Sequence, residues 1–147
     1  MGTSNSVHVR SISAGDAAVA GLLYGLVAGL AMAAFLVLAG LTQGQTPASV
    51  LGVFTISGEP NVLTGLLGHL AVAGVYGLVW GVAWRLMGPR LRVPAILAGP
   101  VYGLLLWGVS QVLVRSIGTS LALLAPWALL VGHLVYGLII GLLSRNA

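Results

Sequence analysis

The stretch that decides the fold runs from Ala17 to Leu41 and reads AAVAGLLYGLVAGLAMAAFLVLAGL, without a charged residue. A helix of roughly 20 apolar residues crosses a hydrocarbon core of about 30 Å, so this stretch predicts a transmembrane helix. Residues 1–16 precede it and are expected to form a flexible, polar N-terminal segment. The sequence therefore predicts one all-α transmembrane domain over residues 1–147. Three more apolar stretches complete its four spans, at about residues 61–84, 93–114 and 121–143.

The composition of the whole chain favours a membrane protein over a soluble one. Of its 147 residues, 59% are hydrophobic and 5% are charged, and the mean hydropathy is +1.08. A soluble domain carries about 25% charged residues, so this chain has too little charge to cover a globular surface. It has no cysteine, which excludes disulfides and thiolate chemistry. Its scattered arginines do not form a nucleic-acid interface.

Arginine positions predict the orientation of the chain. Five arginines, at positions 10, 85, 90, 92 and 145, fall on one side of the predicted spans, and Arg115 falls on the other. By the positive-inside rule, both termini are expected in the cytoplasm. Basicity from arginine without lysine, with abundant Ala, Gly, Val and Leu, suggests the inner membrane of a bacterium. The loop of residues 42–60 is then external, and residues 48–56 are expected to rest on the membrane surface as a short amphipathic segment.

A short repeat links the four spans. Each span contains Tyr-Gly-Leu, and residues 76–85 align without a gap with residues 136–145, sharing Tyr, Gly, Leu, Gly and Arg at the same offsets. We interpret this as a duplicated helical hairpin, in which spans one and two recur as spans three and four. Both hairpins start on the same side of the membrane. The repeats are therefore parallel, whereas inverted repeats are common in secondary transporters.

Glycines four residues apart predict how the spans pack. This spacing makes a flat ridge on a helix, along which a second backbone can approach closely. Packing is the expected role, and the alternative is that the glycines make room for a flat cofactor. The glycines assigned to packing are Gly21, Gly25, Gly29, Gly77, Gly81, Gly137 and Gly141.

The most informative polar residues in the spans are His69 and His133. Ionisable side chains within a membrane are costly and are functional candidates by default. At about 1.5 Å of rise per residue, His133 lies roughly 18 Å from Arg145 and His69 roughly 24 Å from Arg85, so the geometry permits a shared ligand. The conservative interpretation is that each imidazole bonds a neighbouring backbone carbonyl, Ser or Tyr. The alternatives are axial ligation of haem b or another tetrapyrrole, and a proton or quinone role.

Other chemistry is scarce. Asp16 and Glu59 are the only carboxylates, and both are expected outside the spans, with Asp16 capping the first helix. This excludes a paired-carboxylate mechanism and an acidic proton relay. We predict no catalytic residue, no metal site and no required cofactor, and the chain is not expected to be an enzyme. In the third span, Ser110 and Gln111 are expected to make interhelical hydrogen bonds, and Trp107 is expected to anchor a helix end at the interface.

The fourth span resembles a known pattern. Residues 132–141, GHLVYGLIIG, are similar to the last helix of a family of small four-helix prokaryotic membrane proteins of uncharacterised function, in which H-x-x-Y-G-x-x-x-G closes the chain. The first span, rich in Gly, Ala, Leu and Met, resembles the opening helix of that family. The resemblance implies a loose association with respiratory or photosynthetic electron-transport complexes, and it assigns no catalytic residue.

The leading hypothesis is a non-catalytic accessory subunit of a larger membrane complex, most plausibly an electron-transport complex. Its predicted partners are membrane lipid and other integral membrane subunits, with no nucleic acid. The first alternative is a b-type cytochrome that uses His69 and His133. The second alternative is a small transporter, or a channel formed by an oligomer.

Overall fold

The computed structural model describes residues 13–55, 59–117 and 123–146, and this part of the chain is helical without a strand. Four of its helices are long and apolar enough to cross a membrane, as the sequence predicts. Most of the predicted flexible segment, residues 1–12, and the start of the fourth predicted span lie outside the described residues. The elements are α1 (Ala14–Leu41), α2 (Pro47–Gly52), α3 (Val62–Leu91), α4 (Ala95–Ile117), α5 (Pro126–Leu143) and a 3-10 turn (Ser144–Asn146).

The helix α1 begins at Ala14, three residues before the apolar run that starts at Ala17, because Ser13 caps it. The Ser13 side chain accepts a hydrogen bond from the Asp16 N–H at 3.1 Å, and the Asp16 carboxylate accepts one from the Ser13 N–H at 3.0 Å. This reciprocal pair is a capping box, which satisfies two backbone donors at the helix start. The N-cap residue is therefore Ser13, and Asp16 takes part in the cap from the first turn of the helix.

The short helix α2 packs against the bundle. Val50 is fully buried, and Leu51 is 7% exposed. A side chain on Gly65 of α3 would lie 2.8 Å from the carbonyl carbon of Leu51, so α2 sits directly on the α3 backbone. The expectation that residues 48–56 rest on the membrane surface is therefore corrected for the described residues 48–55, because the apolar side chains of α2 are buried against α1 and α3.

The helices α1 and α3 form an antiparallel pair that meets through glycines. A Cβ on Gly25 would lie 2.7 Å from the Gly77 Cα, and one on Gly21 would lie 2.8 Å from the Gly81 Cα. Further along, a Cβ on Gly29 would lie 2.6 Å from the Ala73 side chain. Only glycine permits backbones to approach this closely.

The helices α4 and α5 form a second antiparallel pair of the same kind. A Cβ on Gly99 would lie 3.0 Å from the Gly141 Cα, and one on Gly103 would lie 3.3 Å from the Gly137 Cα. The two pairs join where α1 packs against α5, and there a Cβ on Gly132 of α5 would lie 3.4 Å from the side chains of Leu36 and Met32 of α1. The core of the bundle therefore lies along α1 and α5.

Contacts between α3 and α4 lie around the middle of the two helices. The Tyr102 hydroxyl donates to the Tyr76 carbonyl at 2.8 Å, and the Tyr102 ring lies 5.1 Å from the Trp80 ring. Nearer to α2, a cavity lies between these two helices. The space between α3 and α4 at this level of the bundle is where the candidate site lies.

Candidate functional site

A cavity of about 370 Å³ lies in the half of the bundle nearest α2, with walls from all four long helices. Small-molecule sites in proteins commonly enclose roughly 300–1,000 Å³ and are mostly apolar with a few polar groups. This cavity has that character, and both candidate histidines line it. Its polar side chains belong to Thr55, His69, Tyr76, Ser110, His133 and Tyr136.

His69 reaches the cavity from α3 and is 7% exposed. Its Nε2 lies 3.0 Å from the carbonyl oxygen of Gly29 on α1. A carbonyl only accepts hydrogen bonds, so Nε2 carries the proton and Nδ1 of the neutral ring keeps a lone pair. Phe54 packs against the imidazole with ring centroids 4.7 Å apart. Among the described residues, Nδ1 has no hydrogen-bond partner.

His133 reaches the same cavity from α5 and is 8% exposed. Its Nδ1 lies 2.7 Å from the carbonyl oxygen of Leu129, one turn earlier in the same helix. By the same reasoning, Nδ1 is protonated and Nε2 of the neutral ring keeps a lone pair. Within the described chain, Nε2 has no hydrogen-bond partner. One nitrogen of each ring thus has the carbonyl partner of the conservative interpretation, and the other is open to a ligand.

Three hydroxyls in the cavity wall are also used as donors within the protein, and that of Thr55 donates to the Asn61 carbonyl at 3.3 Å. The Tyr136 hydroxyl donates to the Ala73 carbonyl at 2.8 Å, and the Ser110 hydroxyl donates to the Trp107 carbonyl at 2.7 Å. Each oxygen therefore offers the cavity only lone pairs. The Tyr76 hydroxyl has no partner among the described residues and is free to donate or accept.

Tyrosine is the functional residue type that sequence reasoning undervalued. In the sequence, the tyrosines serve only as markers of a repeat and of a helix pattern, yet Tyr102 and Tyr136 join α4 and α5 to backbone carbonyls of α3. A usable signal was present, because a tyrosine hydroxyl within an apolar span needs a hydrogen-bond partner. The sequence does not say which carbonyl provides it.

The polar side chains of α4 differ from expectation. The hydrogen bond of Ser110 stays within its own helix, so it does not join helices. Gln111 Nε2 and Trp107 Nε1 are buried and have no acceptor in the described part of the chain. The expected interhelical bonds are therefore not formed there, and the indole nitrogen of Trp107 does not make the polar contact that an interface anchor would have.

The ridge glycines do not open onto the cavity. Gly25 and Gly77 face each other, and Gly103 and Gly137 do the same, so a neighbouring backbone fills the space beside each. Gly68 is the one glycine that lines the cavity among the described residues. Within that part of the chain, no group of three metal-ligating side chains occurs.

The mouth of the cavity lies between α3 and α4 and is apolar. Val72 of α3 and Leu113 of α4 both line the cavity, and they are 50% and 41% exposed. The cavity therefore reaches the outer surface of the bundle at these two residues.

Comparison of the chain with protein-family models, curated proteins and solved structures finds no match. Function is therefore argued from the site itself.

Proposed function

We propose that this chain is a non-catalytic accessory subunit of a larger membrane complex. The observation that carries the proposal is the pair of buried, unpartnered nitrogens on α4, Trp107 Nε1 and Gln111 Nε2. A buried donor without an acceptor costs about 1–3 kcal/mol, and in a membrane water does not relieve that cost. Both residues are only half-buried as a whole, so an acceptor on a neighbouring subunit, such as a Ser or Thr hydroxyl, would satisfy the donors once the two side chains turn outward.

The position of α4 also supports a docking role. It packs closely against α5, and its outward residues are large and apolar. Leu105 is 64% exposed and Val112 is 63% exposed. Docking a helix here would extend the bundle without disturbing its core. The assignment to an electron-transport complex rests on the resemblance of residues 132–141 to the family described above.

Helix order supports the predicted orientation and repeat. Trp80 of α3 donates to Ser144 at 2.9 Å, just after α5, so the ends of α3 and α5 that carry Arg85 and Arg145 lie together. Arg115 lies near the far end of α4. We propose that the arginine-rich end faces the bacterial cytoplasm. The equivalent glycine crossings of the α1–α3 and α4–α5 pairs support a duplicated hairpin.

Native purification tests the proposal. The chain is extracted from its own membranes in mild detergent, and the mass and composition of the particle are read by mass spectrometry. We expect stoichiometric co-purification with oxidase, cytochrome or reaction-centre subunits. A particle that contains only this chain would overturn the accessory role, and so would ion or solute flux through the chain reconstituted alone.

A variant pair tests the docking surface on α4. Gln111→Leu removes one buried donor and puts an apolar side chain of similar size in its place, so we expect binding of the partner to weaken by roughly twofold to tenfold and the fold to be kept. Val27→Ala is the matched control, because Val27 is a 51% exposed apolar residue of α1 and lies outside the proposed docking surface on α4. Far-ultraviolet circular dichroism checks the fold of both. Equal retention of the partner by the two variants would remove Gln111 from the interface.

A second candidate is a bis-histidine b-type cytochrome. It is favoured by the open nitrogens of His69 and His133 on one cavity, since a metal-ligating histidine usually donates its other N–H to a carbonyl or carboxylate. Haem propionates favour basic partners, and neither arginine nor lysine is among the described lining residues. Bound haem would give a visible spectrum that either histidine-to-alanine change abolishes. A colourless native preparation would exclude it.

A further inference from the structure

We propose that the cavity between α3 and α4 binds an uncharged, lipid-soluble molecule with aromatic hydroxyl groups. This inference is independent of the accessory role proposed above. It rests on which polar atoms the cavity offers, on its ring-rich wall and on its lateral mouth.

Hydrogen-bond roles in the cavity wall are strongly biased. The N–H groups of His69 and His133 are both committed to backbone carbonyls, and so are the hydroxyl protons of Ser110 and Tyr136. The Thr55 hydroxyl likewise donates to the Asn61 carbonyl, so the atoms left for a ligand are lone pairs on two nitrogens and three oxygens. Tyr76 alone among these polar rings and hydroxyls keeps a free donor. A ligand that donates hydrogen bonds therefore pairs with more of the polar atoms in the cavity wall than a ligand that only accepts them.

The wall also selects a flat, uncharged molecule. Phe54, Tyr76 and Tyr136 contribute rings in addition to the two imidazoles. Aromatic side chains pack favourably against another ring in stacked or edge-on geometry. The described lining residues include no carboxylate, arginine or lysine, so a charged ligand would lose its hydration without gaining an ion partner.

Access to the cavity favours a ligand dissolved in the bilayer. The mouth is flanked by the exposed apolar residues Val72 and Leu113, which would contact lipid tails in a membrane. A lipid-soluble molecule would pass between α3 and α4 without crossing the tightly packed glycine interfaces. A dihydroxybenzene meets all three requirements, because it presents two donors on one flat ring.

Matched ligands test the proposal on the unmodified chain. Tert-butylhydroquinone has two hydroxyl donors, whereas its dimethyl ether and the corresponding quinone have the same ring substituent and no donor. Binding of each to the full chain in mild detergent is measured by titration calorimetry, with protein-free micelles as the blank. We expect tert-butylhydroquinone to bind roughly fourfold to a hundredfold more tightly than either analogue, since the analogues lose two hydrogen bonds and each lost bond weakens binding by roughly twofold to tenfold.

Histidine variants test which atoms accept. His69→Phe and His133→Phe keep a ring and remove the accepting nitrogen, and we expect each to reduce the preference for tert-butylhydroquinone over its dimethyl ether by roughly twofold to tenfold. The control is Val109→Ala, at a 48% exposed residue of α4 that does not line the cavity. It should leave the preference unchanged.

The outcomes separate the interpretations. Equal binding of the three ligands would overturn the donor requirement, and no binding of any would overturn the site. Haem recovered with the natively purified chain would also overturn it, because the two ring nitrogens would then be occupied. If the histidine variants do not fold, the comparison of ligands on the unmodified chain still decides the proposal.

Discussion

Substituting Gly77 by alanine is the sharpest test of how this bundle is held together. An added Cβ at Gly77 would lie 2.5 Å from the Gly25 Cα and 2.8 Å from the Gly25 nitrogen. Carbon atoms in good contact lie about 3.5–4.0 Å apart. The atoms in the way are backbone atoms, which do not rotate aside, so α1 and α3 must separate by about 1 Å to restore that contact distance.

That displacement sets the size of the effect. Overpacking of this kind costs roughly 1–3 kcal/mol, and a gap of about 0.5–1 Å elsewhere along the interface forfeits about a quarter to a half of each contact's attraction. Alanine is intrinsically better than glycine in a helix by roughly 0.5–1 kcal/mol, which offsets part of the loss. We expect a net loss of about 1–2 kcal/mol in the free energy of unfolding, or about 5–30-fold in the folded-to-unfolded ratio.

Gly108 provides the matched control for this prediction. A Cβ at Gly108 of α4 meets nothing within 4 Å, so Gly108→Ala should be neutral or slightly stabilising through helix propensity. Both variants are unfolded by titrating sodium dodecyl sulfate into detergent micelles, with helix content followed by circular dichroism. If Gly77→Ala proves as stable as Gly108→Ala, the close approach at Gly25 does not hold α1 against α3.

Two further predictions address a tyrosine hydrogen bond and the orientation of the chain. Tyr136→Phe removes the donor to the Ala73 carbonyl and should lower the free energy of unfolding by about 0.5–1.5 kcal/mol. The control Tyr24→Phe should leave it unchanged, because the Tyr24 hydroxyl has no partner among the described residues. An equal effect of both changes in the detergent titration would refute this role of Tyr136. The chain has no cysteine, so exposed single cysteines introduced by Met87→Cys and Ala48→Cys report sidedness. If the termini are cytoplasmic, a membrane-impermeant maleimide should label Ala48→Cys in intact cells, whereas it should label Met87→Cys only after the cells are broken. The reverse pattern would show the opposite orientation.

Residue types that are unusual in an apolar span, or spaced four residues apart along it, predict part of the cavity wall and of the helix packing. His69 and His133 were singled out because polar groups within a membrane are costly, and both line the cavity. Glycine spacing singled out Gly25 and Gly77, which lie at the α1–α3 crossing. Each of these predictions depends on one physical constraint, either the cost of an unsatisfied polar group or the space that two backbones need. Such a constraint can be inferred from residue type and spacing alone.

The sequence does not predict which group each side chain bonds or packs against. The hydroxyl of Ser110 was expected to join two helices and bonds its own helix instead. The segment with Val50 was expected at the membrane surface and is buried against α1 and α3. A hydrogen bond within one helix and one between two helices satisfy a hydroxyl equally well, so composition and spacing do not distinguish them.

Four helices long and apolar enough to cross a membrane follow from the four apolar stretches and from a charged fraction of 5%, which is too small to cover a soluble surface. Tertiary packing decided which of the several acceptors within reach each polar group bonds. The carbonyls of Gly29 and Leu129 each bind one nitrogen of a histidine, and that choice turns the opposite nitrogens into acceptors on one shared cavity. Local sequence specifies the hydrogen-bonding groups, whereas their direction depends on helix rotation and separation, which arise only when all four helices pack together.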